Sequence, residues 1–405
     1  MTDPKTQMSR DPLSDPLSDR RAALLVAVIW FAGLGAAAQY GKISVTFDRL
    51  GALYPEAGAQ LGLALSLVGS VGIVLGVIAG VLGARIGLRR CLIWGLGLGG
   101  MLSLGQAALL AGGAALEWLL IVRVFEGLSH LAIVVAAPTL IARIAPPRWH
   151  GFVMTLWGTF FGVAFTLLAW FGLPLVDHAG LAALFVVHGL WMVGFALLLA
   201  LVSLPPSPHP VPELRLSGLL AHHLAIYRSP FVNAAAVGWL FYTFCFVSLL
   251  TLLPPTIPAE WRALTLGAMP LMSIVSAMTL GVYLLRYTTA VGVAVIGFAL
   301  TALVVLALIL WPGAPLLCLA MAFALGLVQG AGFTIVPQLN TAEADRAAAN
   351  GAMAQTGNLG NTLGTPVMLM IGAWAGYAGM MMLALLVLLA GALAHLGLAR
   401  LRARA

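Results

Sequence analysis

Charge is what this chain has least of. Only 8% of its 405 residues are Asp, Glu, Lys or Arg, and 61% are hydrophobic, whereas a soluble domain carries about 25% charge. The shortage excludes a water-soluble fold and makes lipid the solvent. Cysteine is scarce as well. Cys91, Cys245 and Cys318 each sit in an apolar run, and an odd set of buried thiols excludes a disulfide framework. There is no Gly-Lys-Ser/Thr phosphate loop, which argues against drive by ATP. There is no His-Glu-x-x-His zinc pair, no Gly-x-Ser-x-Gly elbow and no mid-depth carboxylate pair, so a hydrolytic centre is not expected. His222 and His223 fall in a polar interval, where an interfacial position accounts for them better than catalysis. No enzymatic activity, metal or cofactor is therefore expected.

Long apolar runs are what the chain has in abundance. A membrane helix needs about 20 apolar residues, and twelve such runs are read near 22–47, 59–83, 91–112, 117–143, 151–175, 180–204, 231–254, 263–285, 290–311, 315–339, 351–374 and 377–399. The net charge of +7 then reports topology. With both termini in the cytoplasm, nearly all basic residues fall in inner loops and tails. Only Arg49 and Arg262 lie outside, and Lys42 and Arg123 lie within spans, as the positive-inside rule requires. Nucleic acid is not an expected partner. Ala36-Ala37-Ala38 mimics a signal-peptidase site, but eleven further spans favour an uncleaved first helix.

Five regions follow. Residues 1–20 repeat Asp-Pro-Leu-Ser in tandem and read as a disordered tail. Residues 21–204 form a first six-helix bundle. Residues 205–230 open on Pro205-Pro206-Ser207-Pro208 and turn amphipathic, which predicts a linker with an interfacial helix. Residues 231–400 form a second bundle, and 401–405 a basic tail. The halves echo one another at a spacing of about 200 residues: Gly80-Val81 with Gly281-Val282, Glu126-Gly127 with Gln329-Gly330, and Gly151 with Gly351. Internal repeats of this kind are common in secondary transporters, with the site near mid-membrane between the repeats. The fold expected is all-α: a polytopic membrane protein of twelve transmembrane helices in two pseudo-symmetric six-helix bundles.

Two elements carry a family resemblance. Gly80-Val81-Leu82-Gly83-Ala84-Arg85-Ile86-Gly87-Leu88-Arg89-Arg90 resembles the Gly-rich, Asp/Arg-containing loop of the major facilitator superfamily. Arg123-Val124-Phe125-Glu126-Gly127 is similar to that family's Arg-x-x-Gln-Gly element. Ala84 stands where the loop usually has Asp, and the fifth span lacks the Pro-x-x-Gly-Gly that follows Gly in drug antiporters. The first span and the overall length are somewhat similar to cyanate/nitroimidazole-type carriers, whose Asn-x-Arg-Pro element is absent. The resemblance implies alternating access around a cavity lined by the first, fourth, seventh, tenth and eleventh helices.

The polar residues inside the spans are the candidates for chemistry. Arg123, Glu126 and His130 share one stripe of the fourth helix, and an intramembrane carboxylate normally faces a bundle interior or a wet cavity. The guanidinium favours an ionised Glu126 and desolvation opposes it. The trio therefore reads either as a proton-coupling group, with His130 able to titrate beside it, or as a fixed ion pair. Gln39, Lys42 and Thr46 form a second stripe. Lys42 either supplies a counter-charge to an anionic solute or snorkels outward, since it lies roughly 31 Å beyond Arg21. Gln355, Asn358 and Asn361 on the eleventh helix, with Gln329 on the tenth, must face a cavity or other helices. Trp239 and Tyr242, with Phe246, form an aromatic stripe that reads as packing or as a substrate platform. Arg85, Arg89 and Arg90 are candidates for a cytoplasmic gate between the halves, or for contacts to anionic lipid. Gly72, Gly76 and Gly80 let the second helix approach its neighbours closely.

The expected function is secondary active transport of a small polar or anionic organic solute across the inner membrane by alternating access, coupled to protons. The protein is expected as a monomer in the bacterial inner membrane, in contact with membrane lipid, with both termini cytoplasmic. The alternative is proton-driven efflux of amphipathic drug-like compounds.

Overall fold

The computed structural model describes residues 18–203, 219–341 and 343–404. Helices dominate these residues, and no strand occurs among them. The spans are α1 (Asp19–Val45), α2 (Leu63–Ile86), α3 (Leu88–Ala111), α4 (Leu116–Ile144), α5 (150–179), α6 (Leu181–Leu201), α7 (Ala234–Leu252), α8 (Ala259–Leu284), α9 (Ala290–Leu310) and α10 (Pro315–Leu339). A continuous helical stretch, Glu343–Arg402, follows. Its 60 residues would run roughly 90 Å as one straight helix, about three times the hydrocarbon thickness. It does not run straight. Gly376 has φ 67° and ψ −168°, a conformation that favours glycine, and the chain divides there into α11 (343–375) and α12 (377–402). Gln355 near the start of α11 meets Tyr227, and Arg402 at the end of α12 donates to the Pro230 carbonyl at 2.8 Å. Both ends thus return to one side, and twelve spans result among the described residues.

These helices are apolar around most of their circumference because most of each faces lipid. Trp94, Leu303 and Leu393 are among many large exposed apolar side chains, which in water would form an aggregation-prone surface. Eleven of the twelve spans begin and end within four residues of the boundaries read from hydropathy. The largest difference is α11, whose first turns carry Glu343, Asp345 and Arg346 and so read as loop, although the helix begins there. The tail 1–17 and linker residues 204–218 lie outside the described residues. The rest of the linker holds the expected helix, Leu219–Arg228, which is joined to α11 by the Tyr227 hydroxyl and Gln355 at 2.8 Å.

The halves meet along α2–α11, α5–α8 and α1–α7. The Ser44 and Thr251 hydroxyls are 2.6 Å apart, Thr166 donates to the Gly267 carbonyl at 2.8 Å, and Thr362 donates to the Ser66 carbonyl at 3.2 Å. These contacts close the side opposite the termini. On the terminus side the halves part around a cavity of about 570 Å³. Closure needs a small residue at Gly69. A Cβ there would sit 3.0 Å from both the Asn358 carbonyl and the Tyr40 hydroxyl, and against Thr362. Gly69→Leu is therefore expected to pry α2 from α11. In a Ser66→Cys background, with Ser66 buried in the parent protein, maleimide labelling should rise several-fold on adding Gly69→Leu. Unchanged labelling would mean that this contact does not hold the far side shut.

Candidate functional site

The intramembrane charges converge within the N-terminal half. Glu126 lies ten residues into α4, roughly 15 Å along it and so near the middle of the hydrocarbon core. Both of its carboxylate oxygens are engaged. Oε1 accepts from Lys42 Nζ at 2.8 Å. Oε2 accepts from Gln106 Nε2 at 2.7 Å and from Arg123 one turn earlier on the same helix. Lys42, Arg123 and Glu126 have no solvent exposure. Charges this deep are tolerable only when paired and hydrogen-bonded, and the partners come from three other helices. Arg123 Nε donates to the Ala64 carbonyl of α2 at 2.6 Å. Lys42 also donates to Ser103 of α3 at 3.0 Å, meets His188 Nδ1 of α6 at 3.3 Å, and lies 4.7 Å from the Phe185 ring centroid.

Two cations thus surround one carboxylate, a formal excess of one positive charge. Donor capacity is left over as well, because Arg123 Nη2 and the buried Tyr40 hydroxyl have no hydrogen-bond partner. An arrangement of this kind can hold an anion, or can exchange partners when one member gains or loses a proton.

A second polar layer adjoins the first. Gln39 Nε2 donates to Ser129 at 2.8 Å, and Ser129 donates to the Gly95 carbonyl at 2.7 Å. His130 Nδ1 lies 3.2 Å from both the Gln39 Oε1 and the Ala36 carbonyl, and its ring meets Tyr40 edge-on at 5.1 Å. The two polar stripes read on α1 and α4 therefore face one another. Lys42 points inward and does not snorkel, because Glu126, Ser103 and His188 offer it three acceptors at its own depth. Thr46 stands apart: its hydroxyl donates to the Lys42 carbonyl of its own helix at 2.5 Å.

The other candidates are placed elsewhere. Gln329 lines the terminus-side cavity, together with Met154, Trp157, Met278, Phe333 and Arg346. Gln355 donates to the Ile73 carbonyl at 3.2 Å and contacts Tyr227, so it bridges α11 to α2 and to the linker helix. Asn358 lies against Gly72 in the same contact, and the half-buried Asn361 leaves its Oδ1 without a partner. Trp239 stacks on Tyr242 at 4.7 Å and meets the cavity residue Phe333 at 5.0 Å. Of the helices expected to line the transport cavity, α1, α4, α7, α10 and α11, only α10 and α11 contribute described residues to this one. The cavity takes its walls from α5, α8, α9, α10 and α11, because the polar faces of α1 and α4 are consumed by contacts within their own half. An aromatic series bridges the gap: Trp157 in the cavity wall stacks on Phe160 at 4.3 Å, Phe160 meets Phe161 at 5.1 Å, and Phe161 meets Tyr40 at 5.8 Å.

Of the three arginines read as a gate, Arg89 has its partners within its own half. Arg89 donates to the Leu199, Ala200 and Val202 carbonyls, at 3.1, 2.7 and 3.1 Å. It caps the end of α6 within its own half, where free helix-terminal carbonyls attract a cation, and does not bridge the halves. Arg90 is exposed, and the side chain of Arg85 lies outside the described residues.

Four members of the charged layer escaped the sequence reading: Tyr40, Ser103, Gln106 and His188. Ser103 and Gln106 are three residues apart on α3 and so share a face, and His188 interrupts an apolar run. Polar residues inside spans were the available signal. What was missing was the knowledge that α3 and α6 turn these faces toward Lys42.

Comparison with known proteins places the fold. The family model described as Major Facilitator Superfamily matches residues 29–365. No curated relative matches the chain. Two crystal structures of a bacterial homolog to the human lysosomal transporter Spinster superpose over 95% of this chain and 98% of theirs. One is inward-facing and occupied, with a TM-score of 0.72 and 15% identity. The other is inward-facing and unoccupied, with a TM-score of 0.73 and 14% identity. At such identities the likeness is one of fold.

Proposed function

We propose, from the premise that this chain belongs to the Major Facilitator Superfamily and is therefore a secondary transporter, that it carries a small polar or anionic organic solute by alternating access with proton coupling through Glu126. The observation that carries this reading is the buried excess of one positive charge around Glu126, with Arg123 Nη2 still free to donate. In a low-dielectric interior an unbalanced cation attracts an anion far more strongly than in water. A solute anion and the Glu126 carboxylate would then compete for Lys42 and Arg123, and protonation of Glu126 would release both cations to the solute. In this reading the termini are cytoplasmic in a bacterial inner membrane, and the cavity faces the cytoplasm. The polar members Gln39, Gln329, Asn358 and Asn361 would contact the solute as the halves rock. His130 would orient Gln39, and the Trp239–Tyr242 pair would form an apolar wall.

One observation favours the second reading, export of an amphipathic compound. The cavity wall is mostly apolar, with Met154, Trp157, Ile274, Met278 and Phe333 on it and Arg346 as a basic residue. A thermal-stability screen of the purified protein against metabolites and drug-like compounds, at about pH 6 and pH 8, separates the two, because a ligand of the folded state raises its apparent stability. Stabilisation by small anions, unequal at the two pH values, is the expected result. Stabilisation by lipophilic compounds alone would move export into first place.

A further inference from the structure

The charged layer and the terminus-side cavity do not open onto one another. Among the described residues, α1 and α4 give the cavity no wall, and Tyr40, Lys42, Arg123 and Glu126 have no solvent exposure. A solute that enters from the terminus side has to pass what lies between. We infer that Phe161 is a gate between the cavity and the charged layer, and that α5 bends at Thr159 to move it. The inference rests on the reading above, in which the solute reaches Lys42 and Arg123.

Phe161 is the ring that meets both sides. Toward the charged layer its centroid lies 5.8 Å from that of Tyr40 and 6.4 Å from that of His130. Toward the cavity it lies 5.1 Å from Phe160, which stacks on the wall residue Trp157. The next turn closes the flank: Phe165 stacks on Phe161 at 5.9 Å, and Ala164 packs with Leu34 and Ala37 of α1. An apolar constriction of this kind stops water and ions, because neither keeps its hydration there. Moving one ring is enough to open it, since Phe161 is the contact shared by the cavity-side and layer-side rings. The first polar side chains beyond it are His130 and Tyr40, whose hydroxyl has no partner.

The backbone beneath the ring is built to bend. α5 is interrupted at Thr159, between the helical stretches His150–Gly158 and Phe160–Leu167. The Thr159 N–H reaches back three residues, to the Leu156 carbonyl at 3.1 Å, and such a tightened turn inside a helix often marks a hinge. The same carbonyl accepts from the Thr159 hydroxyl at 2.7 Å and from the Trp30 indole of α1 at 2.8 Å. Three donors share one carbonyl with two lone pairs, so the bonds that hold this turn compete. Gly158 and Thr159 line the cavity, and a Cβ at Gly158 would meet nothing within 4 Å, so the hinge has room.

The helix is held differently on either side of the break. Before it, Trp30 ties α5 to α1 of its own half. After it, α5 is also joined to the other half: a Cβ at Gly162 would stand 2.9 Å from Ile274 of α8, and Thr166 donates to the Gly267 carbonyl at 2.8 Å. Rocking of the halves therefore pulls the stretch that carries Phe161 relative to the stretch anchored by Trp30, and swings the ring.

The test is thiol accessibility in the full-length protein in detergent. Ser129→Cys is close to isosteric and places a thiol in the second polar layer, where Ser129 has no exposure. The native Cys245, equally buried in the other half, is the control. The probe is a small anionic methanethiosulfonate, read thiol by thiol with peptide mass spectrometry. Adding Phe161→Ala is expected to raise labelling of the introduced thiol by about tenfold or more, as opening an apolar constriction to water requires, and to leave Cys245 unlabelled. Phe161→Leu keeps apolar bulk but not the flat ring. It is expected to give a smaller rise, and it carries the test if Phe161→Ala does not fold. Equal labelling with every variant that folds, or a rise at Cys245 that matches the rise in the layer, would overturn the gate. A rise confined to the layer, in a protein that no anion stabilises, would leave the gate standing and remove the anionic solute. Intact anion binding with unchanged labelling would do the reverse.

Discussion

Glu126→Gln is expected to abolish solute accumulation driven by a pH gradient in proteoliposomes while leaving solute exchange measurable, and to destabilise the protein at the same time. Both effects have one cause. Among the described residues the carboxylate is the sole anion against Lys42 and Arg123, and all three are buried. Glutamine keeps the shape, but its single carbonyl oxygen replaces two charged acceptors, and its NH2 group faces donors. Removing one partner of a buried ion pair costs about 3–5 kcal/mol, because the remaining charge is stranded in a poor solvent, and here two cations are stranded. The apparent melting temperature in detergent should fall, and raising the concentration of a stabilising anion should restore part of the loss by mass action. Accumulation equal to that of the parent protein would show that Glu126 does not carry the coupled proton and that the trio is a structural lock.

The architecture was legible because lipid imposes a simple code. Backbone groups must be satisfied within each span, so span length and apolarity reveal the helices, and the loop charges predict the sidedness. Even the break at Gly376 was visible as the gap between two runs. The site was only partly legible. Arg123 and Glu126 are three residues apart on one helix, so their pairing follows from helical spacing alone. The partners Ser103, Gln106 and His188 come from α3 and α6, and no local pattern states which face of one helix meets which face of another. Lys42 shows the limit most clearly. From the sequence, its distance from Arg21 allowed the side chain to reach the outer headgroups, and only the approach of α3, α4 and α6 supplies the acceptors that turn it inward. Arg89 departs from the expected gate for a related reason. A cluster of cations at a span boundary marks the membrane face, but the carbonyl ends of a neighbouring helix in the same half can absorb a charge such as that of Arg89.

Lys42→Met is expected to behave differently from Glu126→Gln, and the contrast follows from the charge count. Removing the ammonium leaves Arg123 against Glu126, a balanced pair that keeps its one-turn contact and the hydrogen bond from Gln106. Methionine fills nearly the same volume with an unbranched apolar chain, so the stability loss should stay within about 1–2 kcal/mol, compared with the larger cost of stranding two cations. Ser103 and His188 lose a partner, but the Ser103 hydroxyl can still donate, to His188 Nδ1 or to the Phe185 carbonyl, and His188 Nε2 keeps the Gly35 carbonyl. Anion binding should suffer more than folding does. Without the excess charge the site no longer needs a counter-ion, and loss of one charge-assisted contact, about 1.5 kcal/mol or more, corresponds to at least a tenfold weaker affinity. Titrating the stabilising anion from the thermal screen against the parent protein and Lys42→Met measures this directly. A variant that melts far below the parent yet binds the anion unchanged would assign Lys42 to packing and would remove the electrostatic argument for an anionic solute. A variant that folds well and binds at least tenfold more weakly would place the excess positive charge, and not the mostly apolar cavity, at the centre of solute recognition.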